Sequence, residues 1–227
     1  MSVQVRAPAY KVLADTLRAE ITSGRWAPGE RLPTEPQLCR SSGVSRSTVR
    51  EALRLLASQN LIVTTRGVAG GSFVAHPSAT QLADTLTTGM RMLRAASVVD
   101  AAELLEVREM VEVPAAGLAA RRRTEEHLTV LRESLFDPES TSADDMISQH
   151  PRFHEAVAAA CANPLIELIA RPLNTLANAP ELLADLPHEA WVLVDADHRA
   201  ILAAIEAADP AAAEAAAAAH IDHLRQL

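Results

Sequence analysis

Four histidines have the spacing and surroundings to do chemistry. His150 and His154 are four residues apart, so on a helix they share a side with Ile147, Phe153 and Val157. His198 lies among Val194, Ile201, Leu202 and Ile205, and His220 precedes Leu224 by about one turn. One imidazole on an apolar face is ordinarily a hydrogen-bonded core residue. Several on different helices of one bundle have a further use. Neutral imidazoles that face each other can hold a divalent transition metal, zinc or nickel in preference to the oxygen-seeking magnesium or calcium. Arg108 adds a charge to an apolar stripe formed by Leu104, Leu105, Val111 and Ala115, with Glu112 one turn later. An arginine there is rarely left unpaired, and a pair with Glu112 that ties helices together is one reading.

A second constellation lies at residues 45–56, Ser-Arg-Ser-Thr-Val-Arg-Glu-Ala-Leu-Arg-Leu-Leu. At 3.6 residues per turn, Val49, Ala52, Leu53 and Leu56 form an apolar face, and Arg46, Ser47, Arg50 and Arg54 form another. Ser45 is a good N-cap. Arginines at the partially positive start of a helix are unfavourable unless an anion is near, and a DNA backbone supplies one. A solvated face on an ordinary surface helix is the alternative. The neighbouring residues favour DNA. Thr34 to Cys39 reads as a short helix with Thr34 and Gln37 as a capping box and Pro36 in its first turn. Ser41-Ser42-Gly43-Val44 turns the chain into the basic helix, which gives the order of a helix-turn-helix. Residues 61–65 and 72–75 read as strands joined by the Arg66–Gly71 turn, a hairpin wing, and Asn60 suits a left-handed helix end.

These residues together resemble the winged-helix domain of the GntR family of transcription regulators. The resemblance covers roughly residues 6–76 and rests on Tyr10, Pro28-Gly29, Leu32-Pro33-Thr34-Glu35, Gly43-Val44-Ser45-Arg46, Thr48 to Leu53 and Gly70 to Val74. It implies that Arg46, Ser47, Thr48 and Arg50, with Arg66 and Gly70 of the wing, meet double-stranded operator DNA. Where the family usually has a basic residue after Leu-Pro-Thr-Glu, this chain has Pro36, so one expected DNA contact is missing.

The chain that must position these groups has 227 residues, enough for one large domain or two modest ones. Alanine is abundant and aromatics are few, which favours packed helices. The net charge of −8 is unevenly divided. Residues 1–76 carry 10 Lys/Arg against 5 Asp/Glu, and residues 77–227 carry 11 against 24. A basic module on an acidic body is expected where one domain alone meets phosphates. Cys39 and Cys161 lie far apart without metal or redox spacing, Met1 to Tyr10 lacks an apolar core, and no stretch is apolar enough to span a membrane, so a reduced cytoplasmic protein is expected. The first helix spans 9–23 with Gly24 as its cap, and His76-Pro77-Ser78 marks the domain boundary. Beyond it helices are expected over 80–94, 97–122, 124–136, 142–161, 164–179, 187–208 and 210–226. Asp137-Pro138, Asn163-Pro164 and Asp209-Pro210 read as helix starts, and Ser97 with Asp100 as a capping box. The expected fold is mainly α: a winged helix-turn-helix with a small hairpin wing over 1–76, then an all-α antiparallel bundle over 77–227.

Residues from about 80 to 227 resemble the helical effector domain of the FadR-type branch, the FCD domain. The matching pieces are Leu105-Glu106-Val107-Arg108 with Glu112, Leu118-Ala119-Ala120, Phe153-His154, Asn163-Pro164-Leu165, Asp197 to Ile201 and Ala219-His220. Many members hold a metal with one Asp and three His. Carried over, the histidines are His154, His198 and His220, and the aspartate position is His150. Proline at 151 disfavours helical geometry at 150, so His150 either replaces the carboxylate as a ligand or points elsewhere. The resemblance implies a homodimeric regulator, a repressor, controlled by a small organic acid that Arg108 and the metal hold. The rival is an enzyme in which a histidine-ligated ion activates water; it leaves the winged helix without a purpose.

Overall fold

Local signals build the N-terminal elements. The computed structural model describes residues 7–67, 70–76, 78–178 and 183–226, and the chain divides into two compact units, Met1–Ser78 and Ala79–Leu227. The expected boundary includes Pro77, and the expected wing tip includes Val68 and Ala69; all three lie outside the described residues. In the first unit α1 spans Ala9–Thr22, α2 Glu35–Ser42 and α3 Arg46–Ser58. Helix α2 starts where Thr34 donates its backbone N–H to Gln37 Oε1 at 2.7 Å. It stops at Gly43, whose φ of 70° is the left-handed geometry that glycine adopts without a Cβ clash. Ser45 Oγ accepts the Thr48 backbone N–H at 3.2 Å and starts α3. Asn60, at φ 56°, turns the chain out of α3 into β1, Ile62–Thr65. Strand β1 pairs antiparallel with β2, Gly71–Val74, in the register Ile62 with Val74 to Thr65 with Gly71. Leu13, Leu17, Leu38, Val49, Leu53, Leu56, Ile62 and Val74 form the core of this unit, so the apolar face of α3 is spent on packing.

The second unit is a helical bundle: α4 Ala79–Ala95, α5 Ala101–Arg122, α6 Glu125–Glu133, α7 Ala143–Ala160, α8 Pro164–Ala177, α9 His188–Glu206 and α10 Pro210–Leu224. Asn163 and Asp209 cap α8 and α10, with proline in each first turn. The expected end of α8 at residue 179 lies outside the described residues. Small residues let helices approach closely: Ala116, Ala119 and Ala120 of α5 and Ala213 and Ala217 of α10 share one core with Phe153, Ile201 and Ile205.

Two local expectations need correction. Helix α5 begins after Asp100, not at 97, because Glu103 returns a 3.0 Å bond to the Asp100 N–H while Asp100 accepts from Glu103 N–H at 2.8 Å. That box outcompetes a Ser97 start, and Ser97 instead turns the chain at φ 54°. Asp137-Pro138 starts no helix. Asp137 accepts from the Glu139 N–H and the Ser140 hydroxyl in a turn, and Ser142 caps α7. Pro151 lies inside α7, within the helix expected over 142–161. The helix runs through it, because the packing of Phe153, His154 and Val157 outweighs the backbone bond that proline lacks.

Candidate functional site

The helix continuing through Pro151 keeps His150 and His154 on one side of α7, and α9 and α10 bring His198 and His220 to meet them. All four are buried, at 1, 6, 0 and 2 % exposure. Ring centroids of neighbouring members are 4.9 Å apart for His150–His154 and 5.1 Å for His150–His198, His154–His198 and His198–His220. One ring nitrogen from each lies within 4.8 Å of the others.

Two carboxylates orient this cluster. Glu112 on α5 places Oε2 3.0 Å from His154 Nδ1, and Asp197 on α9 places Oδ2 3.1 Å from His220 Nδ1. A carboxylate on Nδ1 holds the ring proton there and turns the Nε2 lone pair inward. Asp197 also accepts from His223 Nδ1 at 2.9 Å. Burial pushes all four histidines below their ordinary value near 6.5, His154 to about 4, so the rings are neutral at pH 7. Burial opposes the charge on Glu112, but Arg108 and His154 offset it and hold its carboxyl well below the usual range. His150 Nδ1, both nitrogens of His198 and His220 Nε2 have no hydrogen-bond partner among the described residues. Buried ring nitrogens left unpaired are unfavourable, and a divalent transition metal would satisfy them, so the donor set fits such an ion.

Arg108, fully buried, bonds Glu112 twice, Nε to Oε1 at 2.6 Å and Nη2 to Oε2 at 3.2 Å. The same arginine and His150 line a cavity of about 190 Å³ whose other walls include Leu104, Leu105, Leu183 and Leu224.

In the N-terminal unit Arg46 and Arg50 are exposed on α3, opposite its buried face. Ser47 and Thr48 hydroxyls each lie 2.8 Å from Ser45 Oγ, at the helix start. Arg50 Nε is held by Glu35 at 3.0 Å, a contact between α3 and α2. Arg66 is exposed on the wing. Gly70 is required by close backbone: a Cβ there would sit 2.5 Å from the Thr65 carbonyl oxygen. Arg31 donates to the Gly70 carbonyl and lies over the Phe73 ring, bracing the wing.

Residues 9–74 match the bacterial regulatory proteins of the gntR family, and residues 103–223, over half of the chain, match the FCD domain. The chain belongs to the GntR family, in its FCD-type branch. This GntR regulator is 29% identical over 219 residues to the HTH-type transcriptional regulator LutR of Bacillus subtilis, covering 91% of this chain and 95% of that protein. It is 29% identical over 234 residues to the Uxu operon transcriptional regulator of Escherichia coli, covering 96% and 85%. The galactonate operon transcriptional repressor of Escherichia coli is 28% identical over 211 residues, covering 89% of each. Streptococcus agalactiae GntR has the same fold at 24% identity, with a TM-score of 0.58 over 96% of this chain and 99% of that one. These relatives are transcription regulators and not enzymes, so the enzyme alternative is set aside. No helix among the described residues is long and apolar enough to cross a membrane.

The orienting roles of Glu112 and Asp197 escaped the sequence reading, as did His223 and Glu35. Asp197 adjoins His198, and His223 follows His220 by three; that spacing was the available signal. The pairing of Glu112 with His154 across two helices leaves none.

Proposed function

We propose that this GntR regulator is a cytoplasmic, homodimeric repressor whose affinity for a two-fold operator is set by a small carboxylic acid held with a divalent transition metal in its helical unit. Residues 1–76 bind DNA and residues 77–227 bind effector and dimerise. The observation that carries the effector half is the convergence of four buried, neutral imidazoles, three of them with ring nitrogens that have no partner among the described residues, beside a cavity that Arg108 also lines. His150, His154, His198 and His220 would hold zinc or nickel. The bound ion polarises or binds an anionic oxygen as a Lewis acid. Uncharged imidazoles leave the ion its full positive charge, which attracts a carboxylate. Glu112 and Asp197 orient two of the rings, and Glu112 neutralises Arg108.

Arg46, Ser47, Thr48 and Arg50, with Arg66 and Gly70 on the wing, form the DNA-reading surface. It is supported by the exposure of Arg46, Ser47 and Arg50 on α3 and of Arg66 on the hairpin and by the positive balance of this unit. Dimerisation is supported by large apolar side chains left exposed on α4 and α5, including Leu82, Leu86, Met92, Leu93 and Met110.

The test combines elemental analysis of full-length protein purified without chelator or affinity tag with operator binding at fixed salt, with and without candidate acids. The expected result is one equivalent of transition metal per chain and an acid-dependent change in operator affinity. Protein that takes up no metal when zinc or nickel is supplied overturns the metal half, and operator binding indifferent to every acid overturns the effector half.

A further inference from the structure

The cavity beside the histidines borders a second cationic group. Its wall is largely hydrocarbon, with Leu104, Leu183, Leu186 and Leu224 prominent. Arg108 and His150 form one polar part of that wall, and Arg94 forms another. Arg94 extends from α4, half-buried, and its Nη1 donates to the Leu176 carbonyl at 2.9 Å. Leu176 lies in the last turn of α8, next to Ala177 and Asn178, which both line the cavity. The guanidinium is therefore fixed at the cavity wall, and capping α8 uses one of its five N–H donors.

The two arginines differ in how their charge is met. Arg108 is neutralised by Glu112 in a two-bond pair. Among the described residues no carboxylate pairs with Arg94, and no acidic side chain lines the cavity. With a metal held by the imidazoles, as proposed above, and with Arg94 unpaired by any carboxylate among the described residues, the cavity would border two positive groups. A ligand with a single carboxylate leaves one of them unmet.

Building on the carboxylate-effector reading above, we propose that the effector is a dicarboxylate with a short hydrocarbon spacer. One carboxylate faces the His150 and Arg108 side, and Arg94 takes the other through its fork of N–H donors. Size limits the spacer. An apolar cavity of about 150 Å³ takes one benzene ring, so about 190 Å³ suits a chain of roughly four to six carbons. Leucines form most of the wall, and Asn178 contributes one buried amide without a hydrogen-bond partner among the described residues, so a polyhydroxy acid of the same length would bury more hydroxyls than that amide can pair and bind less well.

Calorimetric titration of the full-length, zinc-supplied protein tests this. The probes are succinate, glutarate and adipate, with butyrate and valerate as single-carboxylate counterparts and galactonate as the polyhydroxy control. At least one dicarboxylate should bind ten-fold or more tightly than its counterpart, and galactonate should bind more weakly than that dicarboxylate. Arg94→Met should remove the advantage and leave monocarboxylate affinity within two-fold. Arg94→Lys should retain part of it, because it keeps the charge without the fork. A monocarboxylate that binds as tightly as the best dicarboxylate overturns the proposal and leaves the carboxylate-effector reading standing. So does Arg94→Met weakening both classes equally, or neither, in protein whose thermal melt matches wild type. If no acid in the panel binds, both readings fall.

Discussion

Glu112 and His154 meet carboxylate to ring nitrogen, Oε2 to Nδ1 at 3.0 Å, joining α5 to α7 inside the helical unit. The other oxygen of Glu112 takes the Nε of Arg108 at 2.6 Å. One buried carboxylate thus neutralises the guanidinium at the cavity wall and turns the Nε2 of a candidate ligand inward. The orientation of His154 and the charge of the cavity depend on the same side chain.

Glu112→Gln keeps the shape and removes the charge. Loss of a carboxylate behind a ligating histidine costs about 10- to 100-fold in metal affinity. The variant should bind zinc that much more weakly in competition with a chromophoric chelator. It should also unfold more easily, since removing one partner of a buried pair costs about 3–5 kcal/mol. Unchanged zinc affinity would mean that Glu112 serves Arg108 alone.

His150→Ala should abolish stoichiometric metal as fully as His198→Ala or His220→Ala. Pro151 leaves room to expect a lesser role, but the ring is buried within 5.1 Å of His198, centroid to centroid, and its Nδ1 has no other partner among the described residues. Elemental analysis of the three variants decides. Full retention of metal by His150→Ala would remove that residue from the ligand set.

Stability of the metal-free protein should fall as pH drops below about 7. The folded state holds the histidines below their ordinary 6.5, His154 to about 4, so between those values the unfolded chain binds more protons. Stability then rises with pH, and each such histidine contributes a slope of at most about 1.4 kcal/mol per pH unit inside that window. Glu112, held below its usual range, adds a loss in the same direction once pH falls under 4.5. Melting temperatures from pH 7.5 to 5.0 test this; a flat profile would show that the rings gain no protons on unfolding. Zinc should lower the midpoint of the acid transition, because metal and proton compete for the same nitrogens.

Arg50→Ala and Arg46→Ala should each weaken operator binding by about 1–3 kcal/mol at fixed salt while leaving the fold intact. Glu35→Gln should do the opposite. It frees Arg50 from an exposed pair worth no more than about 1 kcal/mol, and it removes a negative charge beside the DNA-reading face. Gel-shift titrations of the three variants provide the measurement. Unchanged affinity in both arginine variants would take α3 out of the interface.

What the sequence by itself determined was local. The 3.6-residue period assigned Val49, Ala52, Leu53 and Leu56 to the buried face of α3 and left Arg46 and Arg50 outside. Thr34 with Gln37, Ser45, Asn163-Pro164 and Asp209-Pro210 set helix starts, because a cap is a bond between residues two or three apart. Where two caps competed, as at Ser97 and Asp100, the local signal misled. Packing decided the rest. Helix α7 runs through Pro151, because its buried face stabilises the helix by more than one missing backbone bond costs. The bonds from Glu112 to His154, Asp197 to His220, Glu35 to Arg50 and Arg94 to Leu176 join residues on different helices. Helical spacing says which side chains share a face. Only tertiary structure brings one face against another, and that contact gave four core-type histidines a common centre and Arg94 a cavity to border.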